Sequence, residues 1–347
     1  MTLRRSMINP LLQPAAVAAK RTRILGERPR RSSTWPAPRG QTCDAAVDPA
    51  RVARERPHVA PSPTPTAPPE PRGRTGDIAL LIADVDGTLI TPERRLTARA
   101  AAAVAHLTDA GVGFTLISSR PPQGLSALAA ALQVRLPFAA FNGGNLLAPD
   151  LRLLEARRLS ADTARRVLAL LAARNVDPWV FTDKDWRLRD AHAPHVAAER
   201  GASALDPLVV DDFENVIARI DKIVGISDDL PRLVEVESEA RAQLGPRATV
   251  QRSHPYHLDV TDAAANKGDA VEALCRRIGV ELRHTAVIGD MFNDISMFAR
   301  AGFSIAMGQA PSEVKAAADA VTASNEADGF ASAVERLILA HGSRAEA

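Results

Sequence analysis

Between residues 78 and 90 the chain reads Ile-Ala-Leu-Leu-Ile-Ala-Asp-Val-Asp-Gly-Thr-Leu-Ile, an apolar run that stops abruptly at Asp84 and Asp86. A strand buried on both faces tolerates such acids only at its C-terminal tip, so the pattern predicts a parallel strand ending in two carboxylates. Residues 112–117 and 137–141 repeat the theme, the first running into Ser118-Ser119-Arg120 and the second into Asn142-Gly143-Gly144. Helical stretches separate them. Residues 98–110 can be capped by Thr97 and stopped by Gly111, and Pro121-Pro122 can open a helix to about residue 132. Strand, helix, strand, helix, strand at this spacing predicts a right-handed βαβαβ unit.

From about residue 151 the rhythm changes. A helix is expected over 159–173 with Ser160 as cap and Asn175 as stop, then strands at 179–182 and 186–188 joined by a polar turn at 183–185. A strand near 221–224, a helix over 230–244 ending at Gly245 and a strand from 248 complete a block whose strands are more polar than the first set. Past His257 the buried-strand pattern returns: a short strand at 258–260, a helix from Lys267-Gly268 to 278, and a strand at 285–288 that ends in Gly289-Asp290. A helix to 301, a strand at 303–306 and two more helices follow. The expected fold class is α/β, a Rossmann-like parallel-sheet core at 76–155 and 258–343 with an α+β domain inserted at 156–257. No internal repeat is apparent.

Composition narrows the function classes. A chain of 347 residues with 46% hydrophobic content can bury a large core in two domains. The net charge of +2 is near neutral, and much of the basic surplus precedes residue 75, so nothing argues for a nucleic-acid surface. No apolar run approaches the roughly 20 residues that span a bilayer, which excludes a membrane pump that phosphorylates an aspartate. Of the two cysteines, Cys43 lies in a tail and Cys275 in an expected helix. A disulfide framework is not expected, and a cytoplasmic compartment is the default. Residues 1–75, Arg-rich and then Pro-rich over 61–71, are expected to form a disordered tail. Their basic start superficially resembles a transit peptide and lacks the apolar core of a secretory signal.

Parallel strands carry their C-terminal tips to one sheet edge, so Asp84, Asp86, Ser118, Lys267, Asp290 and Asp294 can converge although they are distant in sequence. Carboxylates with few His or Cys nearby select a hard cation, Mg²⁺ over Zn²⁺. A hydroxyl, a lysine and a small-residue loop beside it would make a phosphate cradle. One aspartate of the opening pair could attack phosphorus while the other serves as general acid and then base.

Asp84-Val85-Asp86-Gly87-Thr88, Ser118 after its strand, Lys267-Gly268 and Gly289-Asp290-x-x-Asn293-Asp294 resemble the four motifs of the haloacid dehalogenase (HAD) superfamily of phosphohydrolases. The insertion, preceded by Asn142-Gly143-Gly144 and followed by Ala265-Asn266-Lys267-Gly268, resembles the Cof-like branch with a C2B-type cap. The likeness runs from about Asp77 to Leu339. It implies a Mg²⁺-dependent phosphatase acting on a small phosphorylated metabolite, a sugar phosphate or a phosphorylated cofactor or precursor, through an aspartyl-phosphate. In that frame Asp84 is the nucleophile and Asp86 the acid/base. The metal is held by Asp84, the backbone carbonyl of Asp86, Asp290 and Asp294. Ser118, Lys267 and Asn293 hold phosphoryl oxygens, and Asn142 and Gly143 line the site. Two positions depart from the pattern: Ser119 replaces the usual glycine after the motif hydroxyl, and Gln309 replaces a usual Asn.

Other residues weigh less. Ser118 or Lys267 alone would read as a turn residue and a solvated lysine. His254 and His257 are expected on opposite faces of an extended segment, which speaks against a metal pair. Arg120 could contact substrate but reads more simply as a surface arginine, and Trp179 and Trp186 fit either the core of the insertion or a substrate-facing wall. Competing functions are a phosphomutase with the same motifs and a non-catalytic phosphate- or metal-binding regulator.

Overall fold

A computed structural model describes residues 78–340. The expected tail at 1–75, with Cys43, lies outside the described residues. The first strand, β1 (Leu80–Ala83), is buried throughout, and the chain leaves it at Asp84 as its pattern requires. Helix α1 (Ala98–Asp109) follows, with Thr97 accepting a hydrogen bond from the Ala100 amide and Ala100, Ala103, Val104 and Leu107 facing inward. Then come β2 (Gly113–Leu116) and α2 (Gln123–Ala131).

The third strand departs from expectation. β3 (Phe138–Ala140) meets the strand before it through one bridge, Ile117 to Ala139, and pairs in antiparallel fashion with β4 (Asn145–Leu147), itself paired to β5 (Leu153–Ala156). Its parallel hydrogen bonding ends because the chain reverses at once: Phe141 and Asn142 take left-handed φ of 49° and 57°, and Gly143 follows at 98°. The βαβαβ unit thus ends in a three-stranded flap.

The insertion contains α3 (Ala161–Ala173), β6 (Asp177–Phe181), β7 (Trp186–Leu188), α4 (Val196–Ser203), β8 (Pro207–Val209), β9 (Lys222–Ile226), α5 (Leu230–Leu244), β10 (Ala248–His254) and β11 (His257–Asp262). These strands form one sheet in the order β10-β11-β9-β6-β7-β8. The segment at 258–260, expected as a core strand, therefore belongs to the insertion: β11 lies antiparallel between β10 and β9. The chain returns to the core only at α6 (Lys267–Ile278), capped by Asn266. After it come β12 (Thr285–Gly289), α7 (Ile295–Phe298), β13 (Phe303–Ala306), α8 (Ser312–Ala316), β14 (Ala320–Val321) and α9 (Gly329–Ala333).

The core sheet, β14-β13-β12-β1-β2, is parallel throughout. Successive residues of β1 serve opposite faces: Leu81 and Ala83 pack with Leu107, Leu125 and Phe330, while Leu80 and Ile82 pack with Val271, Leu274 and Met297. Burying each such large apolar side chain contributes about 1.5–3 kcal/mol. In the insertion, α3 and α5 cover one sheet face through Val167, Leu171, Leu233 and Val236. Trp179, Phe181 and Trp186 fill the other face, together with Phe141 from the core. Both tryptophans are fully buried and in edge contact with each other, centroids 5.0 Å apart, so they are core residues. No helix among the described residues is long and apolar enough to cross a membrane.

Candidate active site

Because β1 and β12 are adjacent and in register from Leu80–Thr285 to Ala83–Ile288, the residues following them emerge side by side. Asp84, Asp290 and Asp294 each offer a carboxylate oxygen, and these oxygens lie within 4.8 Å of one another. Lys267, 1% exposed at the first turn of α6, places its Nζ 2.5 Å from Asp84 Oδ1 and 2.5 Å from Asp294 Oδ1. Asp294 Oδ2 accepts from the Asp290 and Met291 amides, both at 2.8 Å, and so fixes the loop after β12. Thr88 donates to Asp290 Oδ1 at 3.2 Å.

Gly87 is essential to this approach. Its φ is 79°, and a Cβ there would stand 2.2 Å from Asp290 Oδ2. Gly143 does the same service for Lys267, since a Cβ would meet Ala270 Cβ at 2.4 Å and the Asn266 carbonyl at 2.9 Å, at the entrance of α6.

Electrostatics follow from the crowding. Burial pushes the Asp84 carboxyl well above the usual range, and the charges of Asp294 and Asp290 push it further against the pull of Lys267. Asp290 is raised to about 7, first by burial and then by Asp294. Burial alone would lower the Lys267 ammonium, but Asp294 and Asp84 outweigh it and leave it raised. Three carboxylates around one ammonium leave buried negative charge in excess. A divalent cation would neutralise it, and an all-oxygen donor set suits a hard one.

Asp86 points elsewhere. Its carboxylate is gripped by Arg120, Nε to Oδ2 at 2.7 Å and Nη2 to Oδ1 at 2.5 Å, and Arg120 also donates to the Gly124 carbonyl at 3.2 Å. The Arg120 side chain is 12% exposed, which corrects its reading as a surface arginine. The planar guanidinium fork orients the carboxylate in a way that a lysine could not.

Ser118 is buried and accepts from the Arg120 amide at 3.1 Å. The Asn142 side-chain carbonyl accepts from Asn293 Nδ2 at 3.0 Å. Its own Nδ2 is buried with no partner among the described residues. The two departures from pattern are used as well. The Ser119 carbonyl accepts from Lys222 of β9 at 3.2 Å, and Gln309 Nε2 donates to the Gly87 carbonyl at 2.5 Å.

A cavity of about 430 Å³ opens at this edge, lined by Asp84, Asp86, Gly87, Ser119, Asp290 and Asn293 and roofed by Arg252–Pro255 of the insertion. Ser118, Asn142, Gly143, Lys267 and Asp294 are not part of that lining. A groove of about 490 Å³ between α1 and α2 is larger but holds none of the strand-tip aspartates, so volume alone does not mark the site. His254 and His257 are not on opposite faces: residues 254–257 turn a hairpin between β10 and β11, which pairs the two residues and sets their rings 5.3 Å apart.

A parallel sheet with acids at adjacent strand tips, a buried lysine across from them and an inserted roof defines a hydrolase of the HAD type. A family model of haloacid dehalogenase-like hydrolases matches residues 81–334, and the chain belongs to that family as a Cof-like phosphohydrolase. A putative phosphatase of Haemophilus influenzae is 29% identical over 256 residues, covering 74% of this chain and 96% of the relative. A Bacillus subtilis 5-amino-6-(5-phospho-D-ribitylamino)uracil phosphatase is 26% identical over 266 residues, 76% of this chain and 97% of that one. The crystal structure of a haloacid dehalogenase-like hydrolase from Bacteroides thetaiotaomicron superposes with a TM-score of 0.68 at 26% identity, covering 75% of this chain and 99% of that chain.

Proposed function

We propose that this phosphohydrolase cleaves phosphomonoesters of small metabolites with Asp84 as nucleophile and Asp86 as acid and base. The observation that carries the reading is the meeting of Asp84, Asp290 and Asp294 around Lys267, from segments about 200 residues apart. Asp84, Asp290 and the Asp86 backbone carbonyl would hold Mg²⁺, with Asp294 supporting, and the ion would neutralise the phosphoryl oxygens and align them for attack.

Lys267 holds Asp84 Oδ1, which leaves Oδ2 for in-line attack on phosphorus. As the P–O ester bond breaks, Asp86, lining the same cavity, gives its proton to the leaving oxygen. The alcohol departs and an acyl phosphate remains on Asp84. Asp86 then takes a proton from water as that water attacks phosphorus, which frees inorganic phosphate and restores both carboxyl groups to their starting states. Lys267 and Asn293 would steady the transferring phosphoryl oxygens, with the turn at Ser118, Asn142 and Gly143 shaping the cradle. The insertion acts as a cap, and its hairpin at Arg252–Pro255 supplies the water exclusion and substrate contacts that the short 87–96 segment is too small to provide.

Asp84→Asn tests this. Hydrolysis of p-nitrophenyl phosphate with Mg²⁺ should fall to background while the circular dichroism spectrum stays that of the parent. A folded variant with activity near the parent's would overturn the nucleophile assignment.

A further inference from the structure

A loop shielded from water must find a partner for each backbone carbonyl. In the loop after β2 the Ser118 carbonyl accepts from the Asn142 amide at 2.8 Å and the Arg120 carbonyl from the Phe141 amide at 2.9 Å, both donors belonging to the core. The Ser119 carbonyl between them accepts instead from Nζ of Lys222, a residue of the insertion, at 3.2 Å. Among the described residues Lys222 is the one insertion side chain hydrogen-bonded to this loop. Two other bonds between core and insertion, Gln123 to the Asp183 carbonyl at 2.9 Å and Arg94 to the Ala198 carbonyl at 2.8 Å, touch none of the proposed site residues.

Lys222 is held in place for this bond. It is 5% exposed at the start of β9. Its Nζ lies 5.2 Å from the centroid of the Phe181 ring, in the insertion, and 5.9 Å from that of Phe141, in the core turn that also bonds the loop. Both are within reach of cation–π attraction. Asp259 Oδ2 supplies the counter-charge at 3.7 Å, and neither oxygen of that buried carboxylate has a hydrogen-bond partner among the described residues. The ammonium therefore stands nearer the Ser119 carbonyl than its counter-charge, and its directed bond goes to the core loop. The next residue is Arg120, whose fork orients Asp86.

We propose that Lys222 is a positioning residue: seated over the sheet edge, the insertion uses it to hold the Ser119 carbonyl, which keeps Arg120 aimed and Asp86 oriented to protonate the leaving oxygen. This rests on the phosphatase reading above, and the test separates the two. Lys222→Met alone would strand the Asp259 charge, so the working variant combines Lys222→Met with Asp259→Leu and removes both charges of the buried pair. Its kcat/KM is measured on p-nitrophenyl phosphate, whose leaving group departs with little need of a proton, and on phenyl phosphate, whose more basic phenoxide needs one. The variant should lose at least about fivefold more on phenyl phosphate than on p-nitrophenyl phosphate. In an Arg120→Lys background the same change should cost phenyl phosphate hydrolysis less than about twofold, because both substitutions act through one carboxylate. Equal losses on both esters, no loss, or losses that multiply in the Arg120→Lys background would overturn the inference. If the wild type cleaves neither ester the phosphatase reading fails. In that case, or if phenyl phosphate turns over too slowly to measure, amide hydrogen exchange read by mass spectrometry decides the inference. Faster exchange in the double variant confined to residues 118–120 and 141–142 upholds the hold of Lys222 on the loop, whereas unchanged exchange, or exchange raised throughout the insertion, overturns it.

Discussion

Replacing Lys267 by Met removes the only ammonium bonded to Asp84 and Asp294 among the described residues and nearly preserves side-chain volume. Each contact is 2.5 Å long, and at an effective dielectric near 20 such a contact carries about 6–7 kcal/mol of Coulomb attraction. Desolvation of the buried ammonium returns much of that, and breaking a buried pair by deleting one partner costs about 3–5 kcal/mol net. That is a large share of the roughly 5–15 kcal/mol that holds a typical domain together. Urea unfolding in EDTA should therefore show Lys267→Met less stable than the parent by about 3–5 kcal/mol. Calorimetric titration should find Mg²⁺ bound at least as tightly as by the parent, because the site has become more negative. Turnover at saturating Mg²⁺ should nevertheless fall by about 10²–10³, the loss expected when a preorganised donor to the transferring group is removed. A stability change under about 1 kcal/mol would refute the idea that Lys267 compensates buried carboxylates. Weakened Mg²⁺ binding in proportion to lost activity would refute its separate role in the chemistry.

Other substitutions probe the remaining parts. Gly87→Ala forces a Cβ to within 2.2 Å of Asp290 at a φ of 79°, so the Mg²⁺ activation curve should shift to higher concentration, and an unshifted curve would contradict the role given to this turn. Arg120→Lys keeps the charge but loses the two-pronged grip on Asp86; kcat should drop about tenfold or more with KM nearly constant, and the reverse split would make Arg120 a substrate-binding residue instead. Burial raises Glu199 on α4 to about 7, so the folded state holds a proton there that the unfolded chain releases near 4.5. Stability should fall as pH climbs between those values. Glu199→Gln should lack that decline, giving a stability advantage over the parent that grows up to about pH 7–8 and then levels, as denaturation midpoints across pH 5–9 would show.

How much of this was legible in the sequence depended on how local each cause is. The strand tips at Asp84 and Asp290, the caps Thr97 and Ser160, and the stop at Gly245 are written in neighbouring residues, and the structure places them as the patterns require. The grip of Arg120 on Asp86 is invisible in the sequence because its partner lies 34 residues away and nothing in Ser-Ser-Arg encodes that bond. The run at 258–260 predicts a core strand because a buried strand of either sheet shows the same short apolar run, and only pairing with β9 and β10 places β11 in the insertion. The hairpin that roofs the site escaped notice because His-Pro-Tyr-His lacks the Asn-Gly type of signal that marks tight turns. Helix α4 was missed as well: it starts at His195, with a left-handed φ of 69° and no side-chain cap.

The central claim, that Asp84 accepts the phosphoryl group, has a direct chemical readout. Enzyme mixed with a phosphomonoester and Mg²⁺, quenched in acid within a turnover and reduced with borohydride, should carry homoserine in place of aspartate at position 84, found by peptide mass spectrometry, with Asp86, Asp290 and Asp294 unmodified. Reduction at another of these carboxylates, or at none while phosphate is released at full rate, would contradict the account.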